Sequence, residues 1–451
     1  AEVLNRVIEK AIRGSAPAQI NVPRDYWTQV IDIELPTIIR MERNSGGAQA
    51  VKSAAELLSS AKFPVILSGA GVILADAIDD CKALAEKLDA PVACGYQHND
   101  SFPGSHPLAI GPLGYNGSKA AMEIISKADV VLALGTRLNP FSTLPGYGID
   151  YWPKQASIIQ VDINSDRIGL AKKVTVGICG DAKLVAQQIL EQLSSSAGDE
   201  GREERRALIH QTKSAWLQTL TSLDHEEDDP GTTWNKDSRE RDPERMSPRV
   251  AWRAIQAGLP QDAIISSDIG NNCAIGNAYP TFEKGRKYLA PGLFGPCGYG
   301  FPSILGAKIG CPNTPVIGFA GDGAFGISMS EMTSCNRKEW PNITMVIFRN
   351  YQWGAEKRNS ILWYDNNFVG TELDPELSYA KIAEACGSKG VEVKTPSELT
   401  EAIKTSCVEQ QKGITTFIEV ILNQELGEPF RRDAMKKPVH VAGINSGDMQ
   451  N

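Results

Sequence analysis

Asp322 stands between two glycines in PVIGFAGDGAFGISMSEM, residues 315–332, a segment that reads as a strand, a glycine turn and a helix. The turn GDGAFG formally matches the dinucleotide pattern G-x-G-x-x-G, yet it sets a carboxylate where a pyrophosphate must approach. At roughly 4 Å that carboxylate would repel a bare pyrophosphate. The pattern also calls for an acidic residue at the end of the next strand, to hold a ribose. Here the next strand ends FRNYQWG, with Asn350 at its tip. A divalent cation removes both objections. Asp322 supplies a hard oxygen from one strand end and Asn350 an amide oxygen from the next, and a backbone carbonyl of the following turn, best placed at Gln352, supplies a third. Mg2+ takes octahedral oxygen ligands and completes its shell from phosphate and water, so it can bridge a carboxylate to a diphosphate. Gly321 and Gly323 would let backbone and phosphate come close, and the helix N-terminus at Ala324 would add its dipole. Taken alone, GDG is also compatible with a ligand-free loop.

Stepping outward, residues 47–190 alternate strands and helices: FPVILSGAGV, ADAIDDCKALAEKLDA, APVACG, GSKAAMEIISKA, ADVVLALGTRL and ASIIQVDIN. Continuous apolar strands separated by helices predict a parallel sheet covered on both faces. GAG at 69–71 and GTR at 135–137 follow strand ends, where such sheets place ligands. A working nucleotide site and a purely structural role both fit those two turns. Residues 191–246 are polar and charge-dense, which predicts a solvated linker with one helix at about 203–222. Ser247 as N-cap and Pro248 at the first helical position then open a second α/β unit over 247–425. Its strands are DAIISSDIG, the segment around Gly321, PNITMVIFRN and ITTFIEVIL. The expected class is therefore α/β, with two doubly wound parallel-sheet domains.

With 451 residues, two or three domains are expected. A net charge of −8 argues against a broad nucleic-acid surface. No apolar run approaches the roughly 18 residues that span a bilayer. Nine scattered cysteines without C-x-x-C spacing read as reduced thiols of a cytoplasmic protein. The five histidines lack zinc-site spacing. The chain begins without Met, and AEVLNRVIEKAIRG reads as an amphipathic helix without an apolar signal core. APAQINVPRDY reads as a short strand after it; helix and strand make no core of their own.

Between Gly323 and Asn350 lie 26 residues, and GDG-x26-N resembles the signature of thiamin diphosphate enzymes. GPCGYGFP, residues 295–302, resembles the glycine-rich segment beneath the cofactor in the acetolactate synthase-like family, and SSDIGNN, residues 266–272, resembles the strand end that binds its diphosphate. The resemblance implies thiamin diphosphate and Mg2+ as cofactors. It implies Asp322, Asn350 and Gln352 at the metal, and Gly270, Asn271, Asn272, Gly295, Cys297, Gly321, Gly323 and Ala324 at the cofactor. It also implies that residues 1–36 are the end of a pyrimidine-binding domain whose upstream part is missing. Residues 47–190 become the central domain, 247–425 the diphosphate-binding domain, and 426–451 a C-terminal tail.

Within the family, NYQWGAEKRNS, NNFVGTELDPELSYAKIA and NQELGEPFRRDAMKKPV most resemble the branch that cleaves a C2 sulfonate. That likeness implies sulfoacetaldehyde and inorganic phosphate as substrates, and acetyl phosphate and sulfite as products, with nothing decarboxylated and no external oxidant. Two anions must then be held. Arg431 and Arg432, with Lys436 and Lys437 nearby, are the expected anion binders, because a guanidinium fork suits tetrahedral oxyanions; a solvated basic tail is the plain alternative. Two features depart from the family pattern. Cys297 occupies the place of the bulky residue that bends the cofactor. The activating glutamate belongs to the pyrimidine domain, so a protein about 130–150 residues longer is expected, one typical domain. That glutamate reaches across subunits in the family, which implies a homodimer or homotetramer. An acetolactate synthase-like or 2-keto acid decarboxylase activity, a non-catalytic subunit, and a nicotinamide or flavin oxidoreductase are the alternatives.

Overall fold

A computed structural model of the chain describes residues 2–14, 16–34, 42–222, 233–292 and 294–427. The alternating segment after residue 47 forms one parallel sheet: β1 (Pro64–Ser68), β2 (Val92–Cys94), β3 (Ala109–Pro112), β4 (Val130–Leu134), β5 (Ser157–Asp162) and β6 (Val176–Cys179), in the order β3-β2-β1-β4-β5-β6. Every residue of β1 and β4 is buried, because helices cover both faces of the sheet. That explains why VILS and VVLAL run apolar rather than alternating. The expectation missed β3 and β6, which are short and lie beside turns.

The second sheet is also parallel and six-stranded. It holds β7 (Ile264–Ser267), β8 (Tyr288–Leu289), β9 (Val316–Gly321), β10 (Thr344–Arg349), β11 (Lys389–Val393) and β12 (Thr416–Ile421), in the order β11-β12-β10-β9-β7-β8. Ser247 accepts from the Val250 amide at 3.2 Å and caps the helix Pro248–Gly258, as its sequence predicts. Trp252 of that helix packs against Phe319 and Phe348, at ring distances of 4.9 and 5.4 Å, which fixes the helix over β9 and β10.

The charge-rich stretch after residue 190 departs from expectation. Its helix Arg202–Ser222 forms as predicted, but Arg205 is buried rather than solvated. Its guanidinium donates to the carbonyls of Lys62 at 2.7 Å and Gly198 at 2.6 Å, and Arg206 pairs with Asp89 at 2.6 Å. A charge enters the interior here because orphan carbonyls at loop ends receive all its donors. A second helix, Thr233–Arg241, lies where only linker was expected. The expected strand in 16–26 also fails to form. These residues run as coil into a 3-10 turn, Arg24–Thr28, since no neighbouring strand offers them a ladder.

Polar side chains tie the two sheets together. Asn99 donates to the carbonyls of Asn277 and Pro280, both at 2.9 Å, and Asp100 accepts from the amides of Lys287 at 2.9 Å and Tyr288 at 3.1 Å. Burial pushes the Asp100 carboxyl above its ordinary range, against the lowering effect of those amides. Asp100→Ala strands two buried N–H groups and is expected to cost about 1–3 kcal/mol in urea unfolding. Asp100→Asn keeps an acceptor and should lose less. A carboxyl raised by burial destabilises the fold once ionised, so its contribution falls as pH rises above the usual carboxylate range. The pH slope of stability there should therefore flatten in Asp100→Asn; an unchanged slope rules this out.

Candidate functional site

Strands β7, β9 and β10 lie side by side, with Ile265 opposite Ile317 and Phe348 opposite Gly321. The chain leaves β7 towards β8 on one side, and β9 and β10 lie on the other. The crevice at their carboxyl ends is thus a topological switch point, where open α/β sheets bind ligands. Residues 268–272, 321–324 and 350–353 follow directly from these three strands.

Asp322 opens the short helix Asp322–Ser328 and is buried. Its Oδ1 accepts from the Gly323 amide at 3.0 Å. Its Oδ2 accepts from Arg349 Nη1 at 3.1 Å and from the Tyr351 amide at 2.7 Å. Burial raises the Asp322 carboxyl to about 6, while the guanidinium and the two amides pull the other way. Tyr351 sits in the left-handed region at φ 60°, a costly conformation for a tyrosine. It turns the Tyr351 amide towards Asp322 and brings Asn350 and Gln352 to the same turn. Asn350 is buried and its Nδ2 has no hydrogen-bond partner. An antiparallel bridge joins Gln352 to Glu372, but it is made by the Tyr351 carbonyl and the Trp353 amide, so it leaves the Gln352 carbonyl unspent. The structure therefore brings the three expected metal ligands together, around one carboxylate, one amide and one peptide carbonyl.

The expected cofactor residues divide. An added Cβ at Gly270 or Gly321 would meet nothing within 4 Å, and at Gly295 only Ile269 at 4.0 Å, so these positions line open space. Gly323 is placed differently. A Cβ there would lie 2.8 Å from the Trp353 ring, so the missing side chain makes room for an indole. Asn271 is spoken for on both side-chain atoms: it donates to the Glu425 carbonyl at 3.1 Å and accepts from the Gly427 amide at 2.7 Å. Asn272 Oδ1 is buried without a partner. Ala324 is buried, and Cys297 is half-buried with its thiol pKa raised, first by burial and then by Asp268 and Glu356. Arg431 and Arg432 lie outside the described residues.

Three residues were missed. Asp268 accepts from the amides of Gly298 at 3.0 Å and Gly300 at 2.7 Å, so it holds the glycine-rich 295–300 segment against β7. Trp353 covers Gly323. Arg349 ends an otherwise apolar strand, TMVIFR, and that solitary charge was the available signal. In the first sheet, GAG and GTR pack on each other. Gly71 donates to the Gly135 carbonyl at 2.8 Å, and a Cβ at Gly71 would meet Gly135 Cα at 2.6 Å. Those glycines serve close backbone contact.

The site's donors fit a hydrated hard cation and a diphosphate. A buried amide and a free peptide carbonyl flank one carboxylate, and open glycine positions lie beside them. Among the described residues no cluster of three His, Cys, Asp or Glu side chains offers a metal site of another kind.

Comparison with known proteins agrees with this geometry. Residues 51–189 match the thiamine pyrophosphate enzyme central domain, and residues 268–420 match the thiamine pyrophosphate enzyme C-terminal TPP binding domain. The chain is 77% identical over 449 residues to a probable sulfoacetaldehyde acetyltransferase of Rhizobium meliloti (strain 1021), covering 100% of this chain and 76% of the relative. It is 72% identical over 450 residues to a sulfoacetaldehyde acetyltransferase of Roseovarius nubinhibens, covering 100% of this chain and 75% of the relative. A probable acetolactate synthase large subunit of Methanococcus aeolicus is 28% identical over 411 residues, 89% of this chain and 67% of the relative.

Gly323→Ala must displace the Trp353 indole, and overpacking of this kind costs about 1–3 kcal/mol. Shortening Trp353 to Ala in the same chain should recover much of that loss in thermal unfolding. Additive losses from the two changes would show that the two residues do not contact each other.

Proposed function

The chain belongs to the family of thiamine pyrophosphate enzymes that includes the sulfoacetaldehyde acetyltransferases, and on that footing we propose that it converts sulfoacetaldehyde and inorganic phosphate to acetyl phosphate and sulfite. High identity along the whole chain carries this reading, because the cofactor segments alone are shared with acetolactate synthases. Bound thiamin diphosphate supplies a nucleophilic carbon and an electron sink, so that sulfite can leave with its electron pair from the carbon next to the attacked carbonyl.

The chain's own residues hold and orient. In this proposal Asp322, the Asn350 side-chain oxygen and the Gln352 carbonyl would hold Mg2+, whose charge would offset that of the diphosphate. An Asn350 amide whose oxygen faces a cation keeps its nitrogen pointing away from it, which agrees with the unpartnered Nδ2. Gly270, Asn272, Gly295 and Gly321 line the diphosphate's approach, and Asp268 fixes the loop that carries Cys297. Asn271 acts on the segment 423–427 instead. Arg431 and Arg432 remain the proposed binders of sulfonate and phosphate, because both anions present paired oxygens to a guanidinium fork. A cytoplasmic enzyme of sulfonate or taurine degradation, assembled as a homodimer or homotetramer, completes the proposal. No helix of the described residues is long and apolar enough to cross a membrane.

Sulfite release from sulfoacetaldehyde, followed with thiamin diphosphate and Mg2+ present, should require phosphate and yield acetyl phosphate. Reversing charge at Arg431 and Arg432 should raise KM for phosphate or for the aldehyde. Phosphate-independent decarboxylation of a 2-keto acid, with sulfoacetaldehyde inert, would establish the acetolactate synthase-like alternative instead. Sedimentation velocity should give a dimer or tetramer; a monomer at assay concentration would remove the assembly.

A further inference from the structure

Arg349 has no part in the proposal above, yet it touches Asp322 and is held through both of its terminal nitrogens. Parallel pairing of β9 with β10 sets it beside Asp322, one residue beyond the Phe348 and Gly321 pair. Its Nη1 donates to Asp322 Oδ2 at 3.1 Å, and its Nη2 donates to the carbonyls of Asp374 and Leu377, the latter at 2.9 Å. Its Nε lies 3.6 Å from Glu419 Oε1. The Tyr351 and Tyr379 rings lie 4.3 and 5.4 Å from its guanidinium carbon. Glu419 is fixed in turn, accepting from Ser378 Oγ at 2.7 Å and the Ala380 amide at 3.0 Å. The Tyr379 hydroxyl donates to the Asp322 carbonyl at 3.0 Å. A guanidinium held this way is a rigid fork, not a mobile stand-in for a cation.

We propose that Arg349 is the positioning residue of the metal site: by occupying Asp322 Oδ2 it presents Oδ1 to a divalent cation beside Asn350 and Gln352. The acceptor arithmetic supports this. Each carboxylate oxygen has about two lone-pair directions. Oδ2 accepts from both Arg349 and the Tyr351 amide, and Oδ1 accepts from the Gly323 amide alone. The remaining direction is on Oδ1. Charge points the same way. Arg349 faces two carboxylates, those of Asp322 and Glu419, so one negative charge is left over at the site to attract a cation. The inference rests on the metal-site reading of Asp322.

The test is Mn2+ binding to the whole chain, followed by electron paramagnetic resonance with saturating thiamin diphosphate, for the parent, Asp322→Asn, Arg349→Met and Arg349→Lys. The parent should bind and Asp322→Asn should lose binding. Arg349→Met should weaken Mn2+ affinity roughly 10–100-fold, the usual effect of removing a group that orients a metal ligand. Arg349→Lys keeps the charge without the fork and should fall between them. A folded Arg349→Met chain with parental affinity overturns the proposal, even if its thermal midpoint drops, because a purely structural role would move only the midpoint. Should Arg349→Met fail to fold, Arg349→Lys decides, and parental affinity there overturns the proposal equally. If the parent itself binds no Mn2+, or Asp322→Asn binds as well as the parent, the metal-site reading fails and takes the proposal with it.

Discussion

A carboxylate shut away from water must be met by positive charge and hydrogen-bond donors, or else take a proton. Asp322 imposes that demand at the carboxyl edge of the second sheet, where it is 1% exposed. Much of the surrounding structure answers it. The β9–β10 register delivers Arg349, a left-handed Tyr351 delivers an amide, and Tyr379 holds the backbone of Asp322 itself. Breaking a buried ion pair costs roughly 3–5 kcal/mol, because the surviving charge is left alone. That penalty keeps the strand ends in register and the Asn350 turn in place. The same arrangement leaves an acceptor direction and a net negative charge, which is what a hard cation needs.

The two sheets share an architecture but use their switch points differently. In the first, the turns after β1 and β4 close on each other, and the amide of Gly71 is consumed by Gly135. In the second, the turns after β9 and β10 meet through Asp322 and Trp353, yet Gly270 and Gly321 still face open space. Backbone contact spends the donors that a phosphate would otherwise use, so glycine-rich turns of similar sequence end with opposite capacities.

The segment 423–427 links this edge to the rest of the chain. Its backbone binds Asn271 and the Gln352 side chain on one side. On the other, Asn235, Ser238 and Arg239 of the helix Thr233–Arg241 grip it, with Arg239 bidentate to Glu425 at 2.9 Å.

Periodicity and local chemistry were enough to establish the α/β class, most strands of both sheets and the Ser247 cap, and to single out Asp322, Asn350 and Gln352, which the fold brings to one edge of the second sheet. Each of these depends on a short run of chain: buried parallel strands are apolar throughout, a cap lies next to its helix, and GDG and Asn350 sit at strand ends that alternation reveals. The roles of Arg349, Asp268 and Trp353, the burial of Arg205, the engagement of Asn271 by the segment 423–427, and the failure of 16–26 to form a strand were decided only in three dimensions. Every one depends on a partner distant in sequence, such as Glu425 for Asn271 or Lys62 for Arg205. A side chain's type states what it can donate or accept, but only strand order and register determine which distant group it meets.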